Sequence, residues 1–369
     1  MKAYFDYSAN DQKFWDTYST LWESSLYQSA FQAPHYIQYL ASQVKNNLLT
    51  FKCEIDDELT GAAFFYKNGG EYSFLSDLKA DHNFFIIHKK CSPEEIEFFF
   101  NAFINNIEKE KLAFRLNRQP EWASYSDAFK DARNASHLFW IQAKYTYCLT
   151  LDELTPEALF QRTNRQKLRQ KLNGLKELDT VSFEAYLGDE DWDGWMKDFF
   201  QSHISRWEDT PTPSAYRSLQ KQEFIDQCLK AWLKNGLLAR FSMKLGEKRI
   251  AFVVGVIEKH SLIHHSTSHD NDYFKYSPGL VLIRLIGKWM EENNFTKLDF
   301  GDGNEAYKYL FAKKEDEHEL NTIFISSRKN IPFVLKARLI SRVKGSPKLQ
   351  GFYEQKIKPI ARKFSKNIA

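Results

Sequence analysis

The residues whose types and spacing best suit chemistry lie between positions 299 and 307. Asp299 interrupts the apolar run Leu298–Phe300, Asp302 stands between two glycines, and Tyr307 follows shortly afterwards. A carboxylate at the end of a strand can accept a proton from an attacking amine or hydroxyl, or orient a cationic substrate. A tyrosine can donate a hydrogen bond to a developing oxyanion, or simply pack. The competing interpretation of Asp302 is turn formation, since aspartate beside glycine is common in turns.

A second group of candidates lies upstream. His264 and His265 are neighbours on a predicted strand, so their side chains point to opposite faces and only one of them can face a site. We take His265 as the candidate general base. His203 and Arg206 lie at the end of a predicted helix and suit a phosphate or carboxylate, which arginine binds bidentately; stabilisation of a helix C-terminus by cations is the alternative. No metal site is indicated, because the carboxylates lack ligand spacing.

These side chains require elements that bring them together. Residues 262–268 and 295–300 are predicted strands. Between them Ser277 and Pro278 begin an amphipathic helix, because serine is a good N-cap and proline tolerates the first turn. The N-terminus of such a helix presents unpaired N–H groups, a natural position for a phosphate. The predicted phosphate-binding residues are Tyr276, Ser277, Gly279 and Leu280. Ordinary helix capping is the alternative.

Two strings in this region resemble the GNAT acyltransferases related to the cellulose-biosynthesis protein CelD, a group akin to the FemAB aminoacyl transferases of peptidoglycan bridge synthesis. The strings are Asp270-x-x-Tyr273-x-x-x-Ser277-Pro278-Gly279 and Leu298-Asp299-Phe300-Gly301-Asp302-Gly303-x-x-x-Tyr307-Lys308. The motif His203-x-x-Arg206-Trp207 and the basic run from Arg162 to Lys171 are similar to the same group. The resemblance covers residues 154–326.

The resemblance implies direct attack of an amine or hydroxyl on the carbonyl of an acyl-coenzyme A such as acetyl-CoA, without a covalent enzyme intermediate. The acceptors it implies are cell-envelope sugars, lipid-linked glycan precursors or peptidoglycan stems. It places Lys308 near the reacting carbonyl, where a solvated lysine is the alternative. It also implies substrate contacts for Arg165, Arg169, Asp270 and Tyr273.

One departure from the family pattern bears on the donor. Typical GNAT enzymes carry a Gln/Arg-x-x-Gly-x-Gly/Ala loop where this chain has only Gly279, preceded by a proline that lacks an N–H. That departure points toward the FemAB-like alternative, in which an aminoacyl-tRNA is the donor and a peptidoglycan precursor the acceptor.

The order of predicted elements repeats along the chain. In each half, helices precede antiparallel strands, and a helix and a further strand follow; residues 96–116 and 280–300 hold the corresponding helix–strand units. We therefore expect an α/β (α+β) fold of two tandem halves, GNAT-like as the resemblance implies, each a mixed, mostly antiparallel sheet flanked by helices. The predicted domains are 1–153, 154–327, which would hold the chemistry, and a basic helical tail, 328–369.

Composition places the chain among ordinary globular proteins, with 369 residues of which 43% are hydrophobic and 27% charged. The four cysteines are far apart and indicate neither a zinc site nor a disulfide framework. No signal peptide is visible, and no apolar run approaches the ~18 residues of a membrane span. We therefore expect a cytoplasmic protein.

The charge is unevenly distributed along the sequence. Residues 328–369 carry twelve lysines and arginines against Glu354 alone, although the net charge of the chain is only +3. Ile331, Leu335, Leu339 and Val343 step by four, which predicts a helix with one apolar side, and a second helix is predicted over 349–368. Such a tail suits an anionic partner: a membrane surface, a nucleic acid or the acidic body itself. A catalytically silent module that binds a membrane or a lipid-linked glycan is therefore the third hypothesis.

Overall fold

The computed structural model describes residues 1–8, 10–208, 210, 213–303, 305–346 and 349. The second tail helix predicted over 349–368 lies outside these residues apart from position 349. The chain divides into two compact units. We call residues 1–147 together with 318–369 the first unit, and residues 148–317 the second unit.

The first half of the chain contains seven strands and four helices within the described residues. They are, in order, β1 (Lys2–Asp6), α1 (Gln12–Glu23), α2 (Pro34–Val44), β2 (Leu48–Ile55), β3 (Glu58–Asn68), β4 (Glu71–Phe74), β5 (Ile86–Ile87), α3 (Pro93–Glu110), β6 (Ala113–Pro120), α4 (Ser126–Ala135) and β7 (Phe139–Leu151). α3 begins with a capping box at Ser92, in which the Glu95 carboxylate accepts a hydrogen bond from the Ser92 N–H at 2.7 Å.

The second half begins with two helices and then repeats the pattern. Its elements are α5 (Pro156–Thr163), α6 (Gln166–Lys176), β8 (Val181–Tyr186), α7 (Trp192–Arg206), α8 (Leu219–Lys234), β9 (Leu238–Leu245), β10 (Lys248–Glu258), β11 (Ser261–His269), α9 (Pro278–Glu292), β12 (Lys297–Asp302), β13 (Glu317–Ser326) and α10 (Ile331–Lys344).

The two units have the same internal topology. In the first, the strand order is β1-β2-β3-β4-β6-β13; in the second it is β8-β9-β10-β11-β12, followed by the end of β7. Every pairing is antiparallel except β4–β6 and β11–β12, which are parallel. The predicted tandem repeat of a mixed, mostly antiparallel sheet flanked by helices is confirmed.

The last strand of each sheet comes from the other repeat along the sequence. β13 pairs with β6 from Ala113 to Pro120, and Cys148, Thr150 and Leu151 of β7 pair with β12. The division of the chain therefore assigns residues 318–327 to the first unit, although we had placed them in the second domain. The boundary predicted after residue 153 lies close to the observed one at 147.

The core of the first unit is built largely of phenylalanine rings. Phe51, Phe65, Phe85, Phe99 and Phe103 are fully buried there. Most of the pairs meet edge to face; the rings of Phe51 and Phe99, for example, cross at 80° with centroids 5.1 Å apart. Edge-to-face pairs add specificity to the large apolar area that each ring buries, and they hold α3 on β2 and β3.

The core of the second unit is mainly aliphatic and centres on α9, whose buried residues include Val281, Leu282, Ile286 and Met290. On another side of α9, Gly287 meets α5 so closely that an added Cβ would lie 2.0 Å from Thr163 Oγ1. The glycine is therefore required for this helix–helix approach, which fixes α9 behind the strands that it connects.

The tail helix α10 packs on the first unit through a face other than the predicted apolar side. Phe333 and Ala337 pack in a small core with Phe324 of β13, and Val334 is also buried. The predicted apolar side, which includes Leu335 and Leu339, is exposed. Spacing by four identified the helix correctly but not its packed face, because both faces of α10 carry large apolar residues. None of the described helices is long and apolar enough to cross a bilayer.

Replacing Gly287 by alanine should destabilise the protein by about 1–3 kcal/mol, because the new methyl group overlaps Thr163 in a packed helix contact. Chemical denaturation should show a lower midpoint for this variant. The matched control is Gly70→Ala, since a Cβ at Gly70 meets no atom within 4 Å. An unchanged midpoint in the Gly287→Ala variant would contradict the close α5–α9 packing.

Candidate functional site

The parallel strands β11 and β12 pair over three residues. Ser261, Leu262 and Ile263 lie in register with Lys297, Leu298 and Asp299. β11 continues to His269 and β12 to Asp302, and beyond Asp299 these described residues are not in register with each other. The strands therefore separate toward their C-terminal ends, and α9 begins shortly after β11. A crevice at the carboxyl ends of parallel strands is a favoured ligand position in α/β sheets.

A β-bulge in β11 decides which of its side chains face this opening. The register against β10 passes directly from His264 to Ser266, so His265 is inserted between two paired positions. An inserted residue reverses the alternation of faces beyond it. His269 consequently lies on the α9 side, where a Cβ added to Gly279 would be 3.2 Å from the His269 Nδ1 atom.

The two neighbouring histidines point to different surroundings. The ring of His264 lies 6.5 Å from Tyr307 and 6.1 Å from Phe300 of β12. The ring of His265 meets Trp232 of α8 edge-on at 5.1 Å. Only one of the two histidines faces the candidate site, as expected. It is His264, whereas our prediction for the general base is His265.

The predicted catalytic residues Asp299 and Lys308 shape the turn that follows β12. Asp299 is buried, and its Oδ1 accepts a hydrogen bond from the Gly301 N–H at 2.8 Å. Lys308 is 2% exposed, and its Nζ donates to the carbonyl oxygens of Asp302 at 2.9 Å and Gly303 at 3.1 Å. Its ammonium also pairs with Glu305 at 2.9 Å. Lys308 is therefore engaged in the turn, whereas our prediction placed its charge at a reacting carbonyl.

Arg206, the last residue of α7, reaches the end of β11. Its Nη1 donates to the Thr267 carbonyl oxygen at 3.3 Å, and its guanidinium lies 5.6 Å from the Trp207 ring. Burial lowers the pKa of Arg206, and the proximity of Tyr307 opposes that shift. No carboxylate of the described residues forms an ion pair with Arg206. A partly desolvated guanidinium without a carboxylate is suited to an anionic ligand group or a developing oxyanion.

His269 is held in the neutral form at the end of β11. Burial lowers its pKa to about 4, and the Arg206 guanidinium acts in the same direction. The Asp270 carboxylate opposes these effects but does not cancel them. At neutral pH the imidazole beside Gly279 is therefore uncharged and can both donate and accept a hydrogen bond.

The start of α9 differs from the predicted serine cap. Ser277 adopts a left-handed backbone conformation, with φ of 50°, and its side chain makes no capping hydrogen bond. Its Oγ instead accepts a hydrogen bond from Lys171 Nζ of α6 at 2.9 Å, and the same ammonium donates to the Lys275 carbonyl oxygen at 2.7 Å. A lysine thus takes part in holding the helix N-terminus that we expected to bind phosphate.

Few backbone donors remain at this N-terminus. The N–H groups of Leu280 and Val281 both donate to the Ser277 carbonyl oxygen, and Pro278 has no N–H. Among the described residues, the Gly279 N–H is the one backbone hydrogen-bond donor of this first turn that remains available to a ligand. The predicted phosphate position therefore offers one N–H and the Lys171 ammonium, which suits a single phosphate group.

A cavity of about 550 Å³ lies between α6 and α9. Its lining includes the cations Arg169, Lys176 and Arg284, and none of the described residues that line it is a carboxylate. Burial and the like charge of Arg169 both lower the pKa of Arg284, whose Nε donates to the Asn164 side chain at 3.0 Å. An anion bound between Arg169 and Arg284 would reduce the electrostatic repulsion between their guanidinium groups.

The remaining predicted ligand-binding residues have structural contacts. His203 Nδ1 lies 2.8 Å from Ser214 Oγ, and Arg165 Nε donates to the Leu310 carbonyl oxygen at 3.0 Å. Asp270 pairs with Lys248 at 2.6 Å. Tyr273 packs under the same lysine, and Tyr276 packs against Gly174 of α6. Their predicted roles with substrate stay predictions, as does that of Asp302, whose carbonyl oxygen binds Lys308.

The structure brings to the opening or beside α9 two residues that we did not select from the sequence, His269 and Arg284. Lys171, which lies there too, belongs to the basic run from Arg162 and so carried a signal. His269 carried none, because regular strand alternation places it on the face of His265. Among the described residues, no cluster of histidine, cysteine and carboxylate side chains is arranged to hold a metal ion.

Comparison with known proteins bears on this site. Residues 162–309 match the family model described as an acetyltransferase (GNAT) domain. This segment contains β11, α9, β12 and the turn around Lys308. The second unit has a GNAT-type acyltransferase fold. No curated protein matches the sequence significantly.

Three solved structures share the fold of nearly the whole chain. FemX superposes with a TM-score of 0.61 at 10% identity, covering 91% of this chain and 99% of FemX. The C-terminal domain of a putative lysylphosphatidylglycerol synthetase from Agrobacterium fabrum gives 0.56 at 10% identity, with coverage of 89% and 96%. A conserved protein of unknown function from Bacteroides thetaiotaomicron gives 0.53 at 11% identity, with coverage of 88% and 99%. At these identities the similarity establishes the fold alone.

The low pKa of His269 predicts a pH-dependent contribution to stability. The unfolded chain takes up a proton at His269 near pH 6.5, whereas the folded protein resists it until about pH 4. The stability that this residue contributes is therefore fully present above pH 6.5 and lost as the pH falls toward 4. Urea unfolding of the wild type and of His269→Gln should show a difference in midpoint that shrinks or reverses between these limits. A difference that is constant with pH would contradict the neutral, buried imidazole.

Proposed function

We propose that the second unit transfers an acyl group from a thioester or ester donor to an amine or hydroxyl acceptor. The observation that carries the proposal is the separation of β11 and β12 beside the N-terminus of α9. Arg206, Tyr307 and His264 face the same region, so that anion binding and proton transfer are available within it. The match of residues 162–309 to the acetyltransferase domain supports this assignment.

The corresponding strands of the first unit support placing the chemistry in the second. β4 and β6 also pair only briefly, at Tyr72 and Phe114. Past that point Asp77, which follows β4, accepts hydrogen bonds from Asn117 at 2.9 Å and Arg118 at 3.3 Å of β6. These partly buried groups hydrogen-bond one another across the strands, so they are engaged within the fold at this position of the first unit.

We propose an acyl-coenzyme A, such as acetyl-CoA, as the donor. One phosphate would be held by the Gly279 N–H and Lys171, and another phosphate by Arg169 and Arg284 in the cavity beside α9. The donor supplies an activated carbonyl carbon. In the transfer, the acceptor nitrogen or oxygen bonds to that carbon and the carbon–sulfur bond breaks. Arg206 and Tyr307 stabilise the oxyanion, and His264 takes the acceptor's proton. The leaving thiolate then receives that proton from the His264 imidazolium, which returns His264 to its neutral form.

The structural contacts of Asp299 and Lys308 give both residues a positioning role in this proposal. Together they fix the turn after β12, which carries the chain toward Tyr307.

The acceptor we propose is an amine or hydroxyl of a cell-envelope sugar or lipid-linked precursor. This proposal follows the CelD-like resemblance, which stays a prediction. The alternative is a catalytically silent module. It would be favoured if the protein transferred an acyl group to none of the acceptors tested.

Aminoacyl transfer from tRNA is the second candidate function. It is favoured by Pro278, which leaves a single N–H at the start of α9, and by the exposed cations Lys167 and Arg169 on α6, which suit an extended phosphate backbone. FemX and the lysylphosphatidylglycerol synthetase domain share the fold. In this alternative the acceptor would be a peptidoglycan precursor or another envelope amine or hydroxyl.

Calorimetric titration with acetyl-CoA tests the donor assignment. Replacing Lys171 or Arg284 by glutamine should each weaken binding by roughly tenfold, because each removes a charge-assisted hydrogen bond to phosphate. Lys167→Gln is the matched control, since Lys167 lies on the same helix but does not line the cavity. Binding of a charged tRNA acceptor-stem minihelix, with none of acetyl-CoA, would instead support the second candidate. Equal losses in all three variants would contradict both phosphate positions.

Arg206→Gln should separate function from folding. We expect thiol release from acetyl-CoA with an amino-sugar acceptor such as glucosamine to fall at least about tenfold, since the oxyanion loses a charged donor. Stability should stay the same or rise, because the substitution removes a partly buried charge that pairs with no carboxylate in the part of the chain that the structure describes. The control is Arg217→Gln, which removes an exposed ion pair with Glu208. Full activity of Arg206→Gln would exclude this residue from the reaction.

A further inference from the structure

The solvent-facing side of α10 carries a stripe of large aliphatic side chains. Ile331, Leu335 and Leu339 follow one another at intervals of four and are 56%, 60% and 63% exposed. Residues at this spacing lie along one face of a helix. We call these three residues the α10 stripe.

The stripe is not needed to hold the helix on the first unit. The opposite face does so through Phe333, Val334 and Ala337, which are buried. The ion pair between Lys336 and Glu71, at 2.8 Å, adds a second attachment. Single exposed leucines are common on proteins, but three aligned on one fixed helix face form a contiguous apolar surface, which marks an interaction site.

The charges around the stripe are all of one sign. Residues 328–346 contain six lysines and arginines and no aspartate or glutamate. Arg338 and Arg342 are exposed and lie three and seven residues after Leu335, on the side of the stripe. Arg328 and Lys329 are exposed directly before the helix. In sequence, residues 347–369 add six further cations against one glutamate.

We propose that the α10 stripe docks on an anionic lipid bilayer, with the helix lying in the plane of the membrane surface. An interfacial helix of this kind places large apolar residues at the boundary of headgroups and acyl chains and basic residues among anionic headgroups. The long stems of Arg338 and Arg342 allow their guanidinium groups to reach phosphates while the leucines insert. Charge complementarity favours lipid over a second copy of this chain, whose α10 would bring like charges together.

This surface lies in the first unit, and the proposal does not depend on acyl transfer in the second. If both hold, the protein would act on its acceptor at a membrane surface, which agrees with lipid-linked acceptors.

Co-sedimentation of the full-length chain with vesicles tests the proposal. Vesicles of phosphatidylcholine with phosphatidylglycerol should bind the protein, and pure phosphatidylcholine vesicles should bind it weakly. The double variant Leu335→Gln/Leu339→Gln should lower the partition coefficient at least about tenfold. The matched control is Leu178→Gln/Leu219→Gln, which replaces two exposed leucines of the second unit, 53% and 78% exposed. Arg338→Gln/Arg342→Gln should remove the preference for anionic vesicles.

Three results would overturn the proposal. Unchanged partition of the stripe variant would show that the stripe does not touch lipid. A shift from dimer to monomer in that variant by light scattering, without a change in partition, would assign the stripe to a second copy. A loss of thermal stability with unchanged partition would assign it to a segment of the same chain. Acetyl-CoA binding, measured on the same variants, should be unaffected in every case, so that failure of this proposal is distinct from failure of the donor assignment.

Discussion

The candidate site depends on how short the contact between β11 and β12 is. Parallel strands that stayed in register would satisfy each other's backbone groups and leave no space at the sheet edge. Here the register ends at Ile263 and Asp299, and the bulge at His265 places the side chain of His269 on the α9 side. α9 is fixed from behind by the Gly287–Thr163 contact, so the opening is set by packed elements on both sides.

The chemistry follows from which polar groups the opening receives. Arg206 is partly buried and forms no ion pair with a carboxylate of the described residues, and His269 is kept neutral by burial and by that same arginine. By contrast, Lys308 and Asp299 are engaged in the turn after β12. Groups that satisfy one another stabilise the fold, whereas partly desolvated groups without a complementary charge are available to a ligand. This distinction separates the residues that we expect to act on substrate from those that position them.

Much of the fold could be predicted from local patterns. The amphipathic helix α9 and the strands around it were identified because each depends on residues close in sequence. β13 was not identified, since its partner β6 is about two hundred residues away in the chain. The packed side of α10 could not be predicted for a similar reason: tertiary contacts with Phe324, rather than the spacing of its leucines, decide which face is buried.

The elements around the candidate site were predictable, but the side chains that meet there were less so. Strand, turn and helix signals follow one another from Asp270 to Lys308, and the structure has a strand, a helix and a second strand in this region. The sequence did not indicate that His264 rather than His265 lies beside Tyr307, since a bulge inserted in β11 cannot be read from residue types alone. Whether a lysine is free or bound to carbonyl oxygens, as Lys308 is, depends on a turn geometry that the sequence does not specify.

The most direct test is a crystal structure of the full-length protein with a non-reactive acetyl-CoA analogue, in which the thioester sulfur is replaced by methylene. The account predicts that the acyl end lies between β11 and β12 beyond Ile263 and Asp299, with a phosphate at Gly279 and Lys171. An analogue bound elsewhere, or β11 and β12 paired along their full lengths in the crystal, would contradict it.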